Sequence, residues 1–185
     1  EKGYNGDEDF NYFMAFYIAE SKLRIFGYNR TVSSLNDLTP EEFLLQIEKS
    51  FTLTKSKEAY HPKSLHNLSM YFGESWYSLT IKDEFIDNEN PVGFLDAQLL
   101  STLVLSPILG IHDLKTDNRV NFIEGTKGME ALQESVDSNI AKVAFGFFPV
   151  SIDQLKRVAD TNNIMPPKST WIEPKIRSGL TVFEY

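Results

Sequence analysis

The sequence predicts an α+β fold: mixed, largely antiparallel sheets with β-hairpins at the front and a β-α-β-α-β C-terminal lobe. Three observations carry that expectation. Runs dense in aromatic and aliphatic residues, split by short polar breaks, occupy 12–18, 23–32, 68–72 and 76–81. Two helix-opening signatures, Thr39-Pro40-Glu41-Glu42 and Ser151-Ile152-Asp153-Gln154, place helices in both halves. From Arg119 onward, strand-like and helix-like stretches alternate.

Taken in order, residues 1–9 are Gly, Asn and acidic residues with nothing to bury, and are expected to form a mobile leader. Residues 10–185 are expected to form one domain, with two lobes at 10–88 and 94–185 as an option. The runs 12–18 and 23–32 flank the polar break Ala19-Glu20-Ser21-Lys22 and read as a front hairpin. Thr39 is placed to cap a helix with Pro40 at its first position, and Phe43, Leu44 and Ile47 follow at helical spacing. Residues 51–54 read as a short strand, and Gly73-Glu74-Ser75 turns a second hairpin. The acidic stretch 83–93 contains Pro91 and reads as the boundary between lobes. Leu95, Leu99, Leu100, Leu103 and Val104 then describe a helix apolar around most of its circumference, ended by Pro107 and Gly110. Residues 119–124 read as a strand, Gly125-Thr126-Lys127-Gly128 as a turn with Thr126 as helix cap, and 141–148 as an apolar strand that could lie parallel to it. Pro166 and Pro167 stop the last helix, so the tail must run extended.

The chain has 185 residues, 42% of them hydrophobic, a composition of ordinary globular domains. It has no cysteine, which rules out a disulfide framework or a thiolate zinc site and suits a cytoplasmic location. A net charge of -8 works against nonspecific attraction to nucleic acid, and no apolar run is long enough to span a membrane. The start at Glu1 is expected to reflect a fragment of a longer protein, with the missing N-terminal half as a partner.

Donors crowd into the tail of this acidic chain. Lys168, Lys175 and Arg177, with the hydroxyls of Ser169 and Thr170, have the chemistry to hold a phosphate or carboxylate, and Arg30 offers a second clamp. The competing reading is that the prolines shape a crossing loop, the hydroxyls satisfy turn amides and the lysines are solvated. Gly125-Thr126-Lys127-Gly128 lacks phosphate-loop spacing. His61, His66 and His112 stand at spacings that suit no metal site, and no serine has an evident histidine partner. Trp171 is the one aromatic placed to stack or gate beside the basic tail.

Met165-Pro166-Pro167-Lys168-Ser169-Thr170-Trp171, Glu173-Pro174-Lys175 and Ser178-Gly179-Leu180 closely resemble the C-terminal signature of the bacterial family called domain of unknown function 1015. Pro107-Ile108-Leu109-Gly110-Ile111 and Arg119-Val120-Asn121-Phe122 add to the resemblance. Ile172 stands where a second aromatic is expected, and Asn29-Arg30 where many members carry His-Arg. The family is often labelled ParB-like, which implies kinship with a fold in which some relatives bind nucleotide and some phosphorylate small molecules. The leading expectation is a small-anion-binding domain of a larger protein, its catalytic groups, cofactor and reaction unspecified. The alternatives are a structural or homo-oligomerising domain without ligand, and a DNA-associated partitioning protein.

Overall fold

Both helix caps form as their local sequence requires. Thr39 Oγ1 accepts from the Glu42 amide at 3.2 Å while the Thr39 amide donates to Glu42 Oε2 at 2.9 Å. Ser151 and Gln154 repeat the exchange at 3.2 and 3.0 Å. These two helices belong to a computed structural model that describes residues 6–175 and 177–183. In chain order the elements are β1 (Arg24–Val32), α1 (Pro40–Ile47), β2 (Phe51–Ser56), β3 (Asn67–Phe72), β4 (Ser75–Ile81) and α2 (Asp96–Leu100). The helix α2 runs directly into a π-helical turn over Ser101–Leu105. There follow β5 (Val120–Glu124), α3 (Glu130–Asp137), β6 (Val143–Gly146), α4 (Ile152–Asp160) and β7 (Thr170–Glu173).

The strands form one seven-stranded sheet in the order β2-β4-β3-β6-β1-β5, with β7 also paired to β1. The β2·β4, β3·β4, β3·β6, β1·β6 and β1·β5 pairings are all antiparallel. Gly73 and Glu74 both have positive φ, as the two-residue turn joining β3 to β4 demands. The alternation of strand side chains sorts the core. Leu68, Met70, Phe72, Val143 and Phe145 face α1, α2 and the π-helical turn, burying Phe43, Ile47, Leu100, Val104 and Leu105. Tyr71 and Ala144, one position out of step, face the other way and cluster with Trp76, Met129 and Leu132. A third cluster, Leu95, Val150 and Val158, joins α4 to the start of α2.

Three expectations are corrected. Residues 12–18 form no strand, so there is no front hairpin. The reason is that β1 finds its partners in β5, β6 and β7, none of them a sequence neighbour. The strands β5 and β6 do not pair in parallel, because β1 lies between them and pairs antiparallel with both. They point the same way, and α3 bridges them past β1. Thr126 caps no helix: Gly125–Lys127 is a 3-10 turn and α3 begins later, at Glu130. Gly125 is required for another reason, since a Cβ there would lie 2.5 Å from the Gly27 carbonyl oxygen on β1.

Ile25–Trp171 form one compact unit, and residues 1–24 with 172–185 a second. The second carries the 3-10 turns Asp9–Asn11 and Glu20–Lys22. Among its described residues, Phe13 is 83% and Tyr17 90% exposed.

Candidate functional site

The strand β1 places Tyr28 and Arg30 on one face and Asn29 on the other. Asn29 is buried and accepts the Phe147 amide at 3.2 Å, tying β1 to the chain where it leaves β6. Arg30 is fully buried. Its Nη1 donates to the Ala97 carbonyl at 2.7 Å and to Ser101 Oγ at 3.3 Å, where α2 widens into the π-helical turn. Nε and Nη2 have no partner, and among the described residues no carboxylate pairs with it. The guanidinium carbon lies 5.3 Å from the Phe147 ring centroid and 5.9 Å from that of Phe122. Burial pushes the Arg30 pKa down to about 10. At neutral pH the guanidinium keeps its proton, and the downward push reflects the cost of holding this charge in the core.

Phe122 stands opposite Arg30 in the β1·β5 register. The same ring receives a second cation: Lys168 Nζ lies 4.7 Å from the Phe122 centroid and 5.8 Å from that of Tyr28. Tyr28 meets Phe122 and Trp171 edge-on at 6.1 and 5.8 Å. Burial, and secondarily the Glu124 charge, raise the Tyr28 hydroxyl pKa. Lys168 itself has φ of 50°, the left-handed region that costs a side-chain-bearing residue about 1–2 kcal/mol. It sits on the rim of an open cleft of about 550 Å³ lined by Phe122, Asn121, Thr116, Lys115 and Pro167. A neighbouring cleft of about 570 Å³ shares Leu114, Lys115 and Pro167 and extends to Ser101, Ser106 and His112.

Of the tail residues expected to bind a ligand, Lys168 is brought to Arg30 through the Phe122 ring. Ser169 is buried, donates its hydroxyl to the Pro166 carbonyl and lines a separate small cavity. Thr170 is half-buried at the start of β7. Lys175 and Arg177 are exposed and belong to the second unit. Two pairs escaped the sequence reading. His66 Nδ1 is 3.0 Å from Asp96 Oδ1, thirty positions away. Ser106 Oγ is 2.8 Å from His112 Nδ1. Only the second, six apart, left a local signal. Among the described residues no cluster of three or more His, Asp or Glu is placed to hold a metal, and no helix is long and apolar enough to cross a membrane.

Fold and site together define a one-sheet α+β domain with two cations gathered on an aromatic ring. The chain belongs to the family described as Protein of unknown function (DUF1015), whose sequence model matches residues 1–98. The match thus falls on the half opposite the tail motifs, and nothing in the family's description supports a ParB-like label. No curated protein sequence matches this chain. Among solved structures, a mutant free serine kinase in complex with AMP is similar in fold, with TM-score 0.50 and 11% identity over 83% of this chain. SbnI with a C-terminal truncation, from Staphylococcus aureus, matches at TM-score 0.48 and 13% identity over 90% of this chain. The chain spans 55% of the length of each of these structures.

Proposed function

We propose that this chain supplies the binding surface for a small phosphate-bearing anion within a larger cytoplasmic protein, with Lys168 and Arg30 as the charged pair. One observation carries the reading: a buried guanidinium with two unpaired nitrogens, and with no carboxylate among the described residues paired to it, shares the Phe122 ring with a lysine. Two like charges gathered at one ring repel, and an anion held in the cleft at Lys168 would relieve that repulsion across the ring. The left-handed backbone at Lys168 agrees with a position retained for its side chain rather than for its comfort. The AMP in the free serine kinase structure is consistent with a nucleotide as the ligand. Thr170 is assigned as a supplementary donor and Ser169 as the residue that shapes the turn; Lys175 and Arg177, in the second unit, take no part in this reading.

Titration with inorganic phosphate and with AMP, followed by calorimetry, tests the reading. Lys168→Ala is expected to weaken binding at least tenfold, the equivalent of about 1.4 kcal/mol for one charge-assisted contact. Lys168→Gly should weaken it equally while leaving the fold as stable or more so, since glycine accepts positive φ freely. Unchanged affinity in both variants would reduce the tail to architecture.

The exposed aromatic residues Phe10, Tyr12, Phe13, Phe16 and Tyr17 favour a second role as an association surface. Light scattering over a concentration series is expected to show ligand-independent self-association. Replacing Phe13 and Tyr17 by Ser should abolish it; a monomer at all concentrations would end this reading.

A further inference from the structure

Behind the Lys168 turn lies a small cavity whose lining includes Asp96 and Ala97 of α2, Phe147 after β6, Gln154 of α4 and Ser169. The space open to the centre of a water molecule is about 10 Å³, the least that can hold one water. Two buried polar atoms of its lining residues have no partner, Asp96 Oδ2 and Gln154 Nε2. Asp96 is 5% and Gln154 9% exposed. Their other polar atoms are already engaged. Asp96 Oδ1 accepts from both the His66 amide and His66 Nδ1, each at 3.0 Å. Gln154 Oε1 accepts from the Ser151 amide in the helix cap. The unused pair is complementary, one acceptor and one donor. Buried polar groups are almost always hydrogen-bonded, directly or through ordered water.

We propose that this cavity is the binding site of a single ordered water, which accepts from Gln154 Nε2 and donates to Asp96 Oδ2. The water ties α4 to α2 and completes the environment of the Asp96 carboxylate. A carboxylate only accepts, so the ring proton of neutral His66 resides on Nδ1 and Nε2 is left as an acceptor. Ala97 and Phe147, which line the cavity, are also among the residues that Arg30 touches. The bridge therefore stands in the wall behind the guanidinium. It does not depend on the anion-binding proposal.

A high-resolution crystal structure of the chain is expected to show one density peak within hydrogen-bonding distance of both Asp96 Oδ2 and Gln154 Nε2. A dry cavity, or a direct bond between those two atoms, overturns the proposal. Long-range proton–nitrogen correlation NMR on the neutral ring should report His66 as the Nδ1–H form; an Nε2–H form would contradict the Asp96–His66 bond and overturn the carboxylate environment that the water completes. Gln154→Glu keeps the cap acceptor and replaces the donor with a carboxylate oxygen. A water can still donate to both oxygens, but two carboxylates then face each other across it, so Tm should fall by several degrees; an unchanged Tm would count against the bridge.

Discussion

Arg30→Met is expected to make the protein more stable, by about 1–2 kcal/mol, and to abolish its stabilisation by phosphate. The downward push on the guanidinium to about 10 corresponds by linkage to about 3 kcal/mol of cost at neutral pH. The sign follows from proton binding. Between about 10 and the ordinary arginine value, the unfolded chain holds the proton more tightly than the fold does. The cost is therefore present in full below that window, and stability from this group rises as pH climbs through it. Methionine fills a similar volume and packs well on the Phe122 and Phe147 rings. The Ala97 carbonyl keeps its bond from Ser101 Oγ, at 2.8 Å. Loss of the Arg30 bond to that carbonyl offsets part of the gain, which is why the net expectation is smaller than the linkage figure. Urea unfolding with and without phosphate checks both halves. A lower midpoint together with an intact phosphate effect would show that Arg30 holds the core and does not serve a ligand.

Asp96→Ala is expected to cost about 2–4 kcal/mol, because it strips the half-buried His66 amide and ring of their acceptor and releases a strained loop. One Asp96 oxygen holds His66 at both its backbone and its ring. His66 has φ of 61°, and its carbonyl accepts the Ile81 amide beside the sheet. Asp96→Asn retains an oxygen at the same place, so most of the stability should return. Chemical denaturation of the two variants separates the outcomes. Equal losses for Ala and Asn would mean that charge, and not the acceptor, fixes the loop.

What could be read from the residues alone was what depends on near neighbours. Thr39 with Glu42 and Ser151 with Gln154 settle their helix starts within four positions, and Gly73-Glu74 settles a turn. The front hairpin failed because residues 12–18 carry the composition of a strand while the edges of β1 are taken by distant strands. The site divides the same way. Lys168 and Arg30 were legible as donors, whereas the ring between them, Phe122, could be seen only once register placed it opposite Arg30. Asp96 and His66 gave no signal, since the strand pair β3 and β4 and an acidic loop separate them in the chain. That no carboxylate among the described residues meets Arg30 is a property of three-dimensional packing and has no counterpart in composition.

The position of β1 between β5 and β6 has a consequence for biosynthesis. A ribosome releases the segment 24–32 long before it makes either flanking strand, the nearer of which begins at Val120. Throughout that interval the nascent segment has two unzipped margins, and closing them demands long loops that slow the search for the native arrangement. The β2-β4-β3 half of the sheet, built from strands within residues 51–81, can assemble first as a local platform. Completion of the remainder then waits for Val143–Gly146, the strand that joins the early half of the sheet to the late one.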